Sequence, residues 1–112
     1  FTPESLVSDL HRAALVEARD DQTALTNLFS GRPARGLMNR LMREAGPMSD
    51  AAPAFPTAGG ALGPLKAAAE AEGKTDFSSL WSGQAAGLGR NVGAEELTRK
   101  LMQDAARLLG RG

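Results

Sequence analysis

The sequence predicts a mostly α-helical fold with too little strand to build a sheet of its own. Three observations carry that expectation. Helical periodicity recurs along the chain, most clearly near its end, where Leu97, Leu101, Ala105 and Leu108 follow at spacings of four and three. Only one stretch, Thr23 to Ser30, has the Thr-rich apolar character of a short strand or an irregular extended piece. The apolar mass is mostly Ala and Leu: aromatics make up 4% of the chain, with four Phe, one Trp and no Tyr. Such residues fill volume but provide few large anchors.

The elements follow in order. Residues 3–18 read as a helix, with Thr2 as N-cap, Pro3 in the first helical position and Glu4 where the helix dipole favours an acid. Leu6, Leu10, Ala13 and Ala14 supply a modest apolar stripe, and Asp20-Asp21 ends it. After the extended piece, Gly31-Arg32-Pro33-Ala34-Arg35-Gly36 reads as a turn. Residues 37–45 place Leu37, Met38, Leu41, Met42 and Ala45 on one face of a short amphipathic helix, which Gly46-Pro47 stops. Residues 48–60, with Pro53, Pro56 and Gly59-Gly60, read as a loop. It is long for a compact domain, so it is functional or draped over a partner surface. Residues 61–72 form an Ala-rich helix with Pro64 in its first turn, and 73–76 a polar linker. Residues 77–88 begin apolar and become rich in small residues. Residues 94–109 form the last helix, with Glu95 and Glu96 at its start, Arg107 near its end and Gly110 closing it.

Composition excludes several functions. Thirteen basic and thirteen acidic residues leave no net charge, so there is no electrostatic basis for nucleic acid or an anionic membrane as partner. The absence of Cys removes disulfides, a thiol nucleophile and Cys-based metal sites, and a single His makes a dedicated zinc site untenable. No apolar run approaches the ~18 residues of a membrane span. The chain starts without Met or a signal-peptide pattern, which predicts a cytoplasmic protein lacking its own beginning.

Two segments could carry chemistry. In the first, residues 30–36 with Asn39 and Arg40, glycines permit close backbone approach, and Arg32 and Arg35 are suited to bidentate anion contacts. The plainer reading is a turn whose arginines are solvated or paired with Glu44 or Asp20. In the second, Trp81-Ser82-Gly83-Gln84-Ala85-Ala86-Gly87-Leu88, small residues opening a helix would present backbone N–H groups and hydroxyls to a flat ring or an anion. The alternative is that these residues are small only to let a helix lie against a neighbouring backbone. His11, mid-helix between Leu10 and Arg12, reads as a surface residue, and no nucleophile triad, P-loop or dinucleotide fingerprint is present.

At these two segments a family resemblance emerges. Residues 24–44, containing Thr26-Asn27-Leu28-Phe29-Ser30-Gly31-Arg32-Pro33-Ala34-Arg35-Gly36, are similar to the stretch that follows the barrel in nitronate monooxygenases, formerly called 2-nitropropane dioxygenases. Pro47-Met48, Ala52-Pro53-Ala54-Phe55-Pro56 and Ala61-Leu62-Gly63-Pro64-Leu65 continue the likeness. Residues 77–88 resemble the family's Trp-Ser-Gly-Gln segment, which opens a helix near the flavin, and Glu96-Leu97-Thr98 resembles the start of its last helix.

The resemblance implies a fragment: the C-terminal helical cover domain and last helices of an FMN-binding TIM-barrel enzyme that oxidises alkyl nitronates, such as propionate 3-nitronate, with O2 and without a metal. It divides the chain into 1–22 (a helix after the last barrel strand), 23–76 (a cover-domain segment) and 77–112 (the Trp-Ser-Gly-Gln segment and final helix). The catalytic base is expected on the missing barrel, so no catalytic residue is assigned here and His11 is not that base. Trp81, Ser82, Gly83 and Gln84 are the positions expected to face flavin or substrate. Arg32, Arg35 and Asn39 rank next, as clamps between the two domains. The missing barrel is the expected packing partner, and the isolated chain is expected to be inactive. The alternatives are a flavin-dependent enoyl reductase of the same superfamily and a small non-catalytic interaction protein, which would lack a large exposed apolar surface.

Overall fold

Residues 1–110 are described by a computed structural model. They form two units: Ser8–Leu88, and Phe1–Val7 together with the residues from Gly89 onward. The last two residues of the expected 77–112 segment lie outside the described residues.

In the larger unit the first helix, α1, spans Asp9–Glu17, six residues later than the sequence suggests. Ser8, in extended conformation, accepts a hydrogen bond on its hydroxyl from the His11 N–H at 3.3 Å, and Asp9 occupies the first turn. This cap competes successfully with the Thr2-Pro3 signature, which is used up in a single turn closed by Ser5 N–H to the Thr2 carbonyl. Leu6, assigned to the apolar stripe, is fully exposed. The stripe that remains, around Leu10, Ala14 and Leu15, is half-buried.

Two short strands follow, β1 (Thr23–Thr26) and β2 (Ala34–Leu37), antiparallel with Thr23 opposite Leu37 and Thr26 opposite Ala34. The sequence reads Gly31 to Gly36 as one turn, but only its first half turns. Gly36 lies in β2 because its backbone is sandwiched: a Cβ there would stand 2.9 Å from the Leu80 carbonyl oxygen. On that edge Leu37 N–H donates to the Leu80 carbonyl, Gly36 bridges Trp81, and Ser82 N–H donates to the Arg35 carbonyl. Pairing on both sides overrides the poor strand propensity of an Arg-Gly pair.

The second helix, α2, is Arg40–Ala45, shorter than the 37–45 read from periodicity because Leu37 completes β2. Asn39 caps it, accepting from Met42 N–H at 3.2 Å. Met42 is completely buried and forms the core with Leu28 and Phe29, packed against Ala24, Met38, Leu41, Ala52 and Leu62. At about 25 cal/mol per Å² of apolar surface, this small cluster is the main favourable term of the unit.

The third helix, α3, spans Ala58–Ala71, so the preceding loop ends three residues early and Pro64 sits in the second turn rather than the first. Proline lacks the N–H that would meet the Gly60 carbonyl, a defect tolerated on this largely exposed face. Burial of Ala58 and the close approach of Gly59 to the Phe29 carbonyl fix the early start. The helix ends in a Schellman motif, with Gly73 N–H on the Glu70 carbonyl and Lys74 N–H on the Ala69 carbonyl. Beyond it the Trp81–Gln84 segment does not open a helix. Trp81 and Ser82 pair with β2, Gln84 and Ala85 turn, and Ala86–Leu88 coils as a 3-10 turn packed on α1.

In the smaller unit α4 is Ala94–Leu108, as periodicity predicts, closed by Gly110 in the left-handed region. Glu4, expected inside the first helix, instead places both carboxylate oxygens 3.2 Å from the Ala94 N–H and caps α4. Ion pairs Glu95–Arg99 and Lys100–Asp104 run along its polar side. The apolar stripe is uncovered: Leu101 is 61% and Leu108 83% exposed. Among the described residues no helix is long and apolar enough to cross a membrane.

Candidate functional site

The Trp81–Gln84 segment is held along one edge and open along the other. Backbone pairing to Arg35 and Gly36 holds the edge. The Trp81 indole stands edge-on to Phe29, ring centroids 5.9 Å apart at 88°, and stays 40% exposed. His11 Nε2 lies 3.1 Å from the Trp81 carbonyl oxygen. Ser82 donates its hydroxyl to the Gly83 carbonyl, so its oxygen remains available to accept from a ligand. A Cβ at Gly83 would meet nothing within 4 Å, and Gln84 is exposed. Within this chain, then, nothing packs against Gly83. The expected helix N-terminus is not there, and the argument from its dipole falls with it.

The turn segment is different. Gly31 has φ 87° and leaves no room for a side chain, since a Cβ would sit 2.7 Å from the Pro53 carbonyl oxygen. Arg32 lies over the Phe55 ring, 4.6 Å from its centroid. Arg35 donates to the Thr23 carbonyl and hydroxyl. Asn39 is buried and donates to the Thr75 and Ser78 carbonyls at 3.1 and 2.8 Å. Arg32, Arg35 and Asn39 thus clamp the Ser8–Leu88 unit internally. Sequence reasoning missed their partners, which lie 12 to 39 residues away along the chain. It also missed His11, whose only signal was being the sole imidazole of the chain.

Arg40 pairs with Glu44 at 2.8 Å, and that hydrogen bond, with the Glu44 charge, raises its pKa further above the already high guanidinium value. It is a fixed cation on the surface and has no acid–base role. Among the described residues no group of three or more His, Cys, Asp or Glu could hold a metal ion. Cavities of about 260 and 160 Å3 open between the elements of the larger unit, lined by residues other than Trp81–Gln84.

Comparison with known proteins gives these geometries a family. The family described as Nitronate monooxygenase matches residues 1–104. The chain belongs to the nitronate monooxygenase family. The nitronate monooxygenase of Pseudomonas aeruginosa is 42% identical over 91% of this chain and 29% of its own length. That of Paraburkholderia phytofirmans is 34% identical over 90% of this chain and 28% of its own. Among solved structures, the nitroalkane oxidase from Streptomyces ansochromogenes superposes with a TM-score of 0.80 at 37% identity, over 95% of this chain and 30% of that one. The chain therefore spans slightly under a third of these nitronate monooxygenase relatives.

Proposed function

We propose that this chain is the cover portion of a flavin-dependent nitronate monooxygenase, with Trp81–Gln84 contributing to the roof of the flavin and substrate pocket. The observation that carries the proposal is the one-sided tethering of that segment: a half-exposed indole, an open Gly83 and the free amide of Gln84 line an unpacked edge. A flat aromatic ring with a polar rim fits such an edge, the indole offering an apolar surface and Gln84 both a donor and an acceptor. The segment lacks the convergent donors that a phosphate requires, so it suits the ring end of FMN and leaves the phosphate to the barrel.

When bound, the flavin supplies the oxidation of the nitronate, with O2 as oxidant. This chain's share is orientation and the exclusion of water above the ring. Family membership and the coverage of under a third of each relative support assignment of the remaining barrel as the packing partner. So do the uncovered Leu101, Met102, Leu108 and Leu109 of the last helix, an apolar surface that a free-standing interaction protein would cover.

A chimera tests this. The matching 103-residue stretch of the Pseudomonas aeruginosa relative is replaced by this chain, and flavin absorbance and O2 uptake with propionate 3-nitronate are measured. Retained flavin and nitronate-dependent uptake are expected. A folded chimera that holds flavin but consumes no O2 with any alkyl nitronate would refute the assignment.

A further inference from the structure

We propose that His11 is a positioning residue for the Trp81–Gln84 segment, acting through a hydrogen bond from its Nε2–H to the Trp81 carbonyl. The proposal rests on the reading of that segment as ring-facing and adds the group that holds it in place. A carbonyl oxygen only accepts, so at 3.1 Å the imidazole nitrogen must carry the proton, which fixes the ring as the Nε2–H form.

The geometry around this bond makes it more than a surface contact. The His11 backbone is held by the Ser8 cap, so its ring projects from the capped first turn of α1 and reaches a residue seventy positions along the chain. The other end of the same helix meets the other end of the same segment: a Cβ at Gly87 would lie 3.6 Å from the Ala18 carbonyl oxygen, and α1 packs on the 86–88 turn. Residues 82–86 thus arch between two points on α1. On the strand side the last rung is Ser82 N–H to the Arg35 carbonyl, at 3.2 Å. The peptide joining Trp81 to Ser82 is therefore pinned at its oxygen by His11 and at its nitrogen by Arg35. Releasing the oxygen frees that peptide plane to rotate, which moves the indole off Phe29 and shifts the Ser82 hydroxyl and Gly83.

The chain contains one His and one Trp, so each partner has its own spectroscopic signal. Long-range 15N–1H NMR of the imidazole in its neutral state is expected to show the Nε2–H tautomer. His11→Phe keeps a ring but removes the donor, and is expected to raise the population of displaced Trp81 about fivefold, the equivalent of one ordinary net hydrogen bond. Acrylamide quenching of Trp81 emission and the indole N–H shift report it. His11→Gln restores an Nε2 donor and is expected to return both readouts toward wild type, a rescue that a merely space-filling role does not predict.

An Nδ1–H or averaged tautomer in the wild type would overturn the proposal. So would unchanged Trp81 signals in the Phe variant, or a Gln variant no better than Phe. If the Phe variant does not fold, the wild-type tautomer and the Gln variant still decide. Failure of the ring-facing reading shows separately, as a Gly83→Ala chimera with unaltered flavin spectrum and turnover. The tautomer and the rescue would then still establish the pin.

Discussion

The Ser30–Gly36 turn and the Trp81–Gln84 segment meet across β2, yet they are built on opposite terms. At Gly31 backbone approaches from Pro53 and Ala54, Arg32 covers Phe55, and Asn39 just beyond closes three hydrogen bonds in a buried position. At Gly83 nothing lies within 4 Å of where a side chain would be. Both segments contain Gly and polar residues, and both read from sequence as candidate sites. Packing separates them. In one, glycine is required by the fold. In the other the fold makes no such demand.

The sharpest test of the comparison is Asn39→Ala. It removes the α2 cap and the Asn39 donor to the carbonyl of buried Ser78, so a loss of about 2–4 kcal/mol is expected in urea unfolding. A loss well under 1 kcal/mol would mean the turn is not the closed region described. Gly31→Ala comes next, at about 2–3 kcal/mol, because it combines a positive φ with a backbone collision. Gly83→Ala is the counterpart. Its stability change is expected to stay within about 0.5 kcal/mol, while turnover of the chimera with nitronate falls. Equal destabilisation by the two Gly variants would erase the distinction between the segments.

The smallest effect belongs to α4. The Asp104 carboxyl is held below its ordinary pKa by the hydrogen bond from Lys100, with the charges of Lys100, Arg107 and Arg90 adding to it. A depressed folded pKa means that the stabilisation is complete above the unfolded value and is lost as pH falls through the folded one. Helicity measured by circular dichroism during acid titration is therefore expected to weaken below about pH 4. Asp104→Asn is expected to reduce that acid-dependent step. An identical titration in the Asn variant would show that the pair contributes nothing, which is common for exposed ion pairs.

Legibility from sequence varied with the range of the deciding contact. The last helix was read nearly to the residue, since its charges, its period and its closing Gly110 lie within or beside its own fifteen residues. Gly46-Pro47 as the stop of α2 was equally local. The start of α1 was misread because two cap signals compete, and Glu4 is drawn to Ala94, ninety residues on. The Trp81–Gln84 segment was assigned to a helix because its small residues suit one, while β2 offers an open edge that satisfies its backbone first. His11 drew no functional interest from sequence, since its partner is a main-chain carbonyl that has no residue-type signature.

By itself the sequence determined the helical character, the family and the periodic face of α4, all properties summed over neighbouring positions or over matched motifs. The tertiary structure alone decided which Gly-containing segment is closed and which is open, that Arg32, Arg35 and Asn39 are internal clamps, and that the lone His pins the lone Trp. The physical reason is shared by all three. Each depends on groups brought from a distant part of the chain, most of them main-chain donors and acceptors, and these are the same at every residue, so only their placement in space distinguishes them.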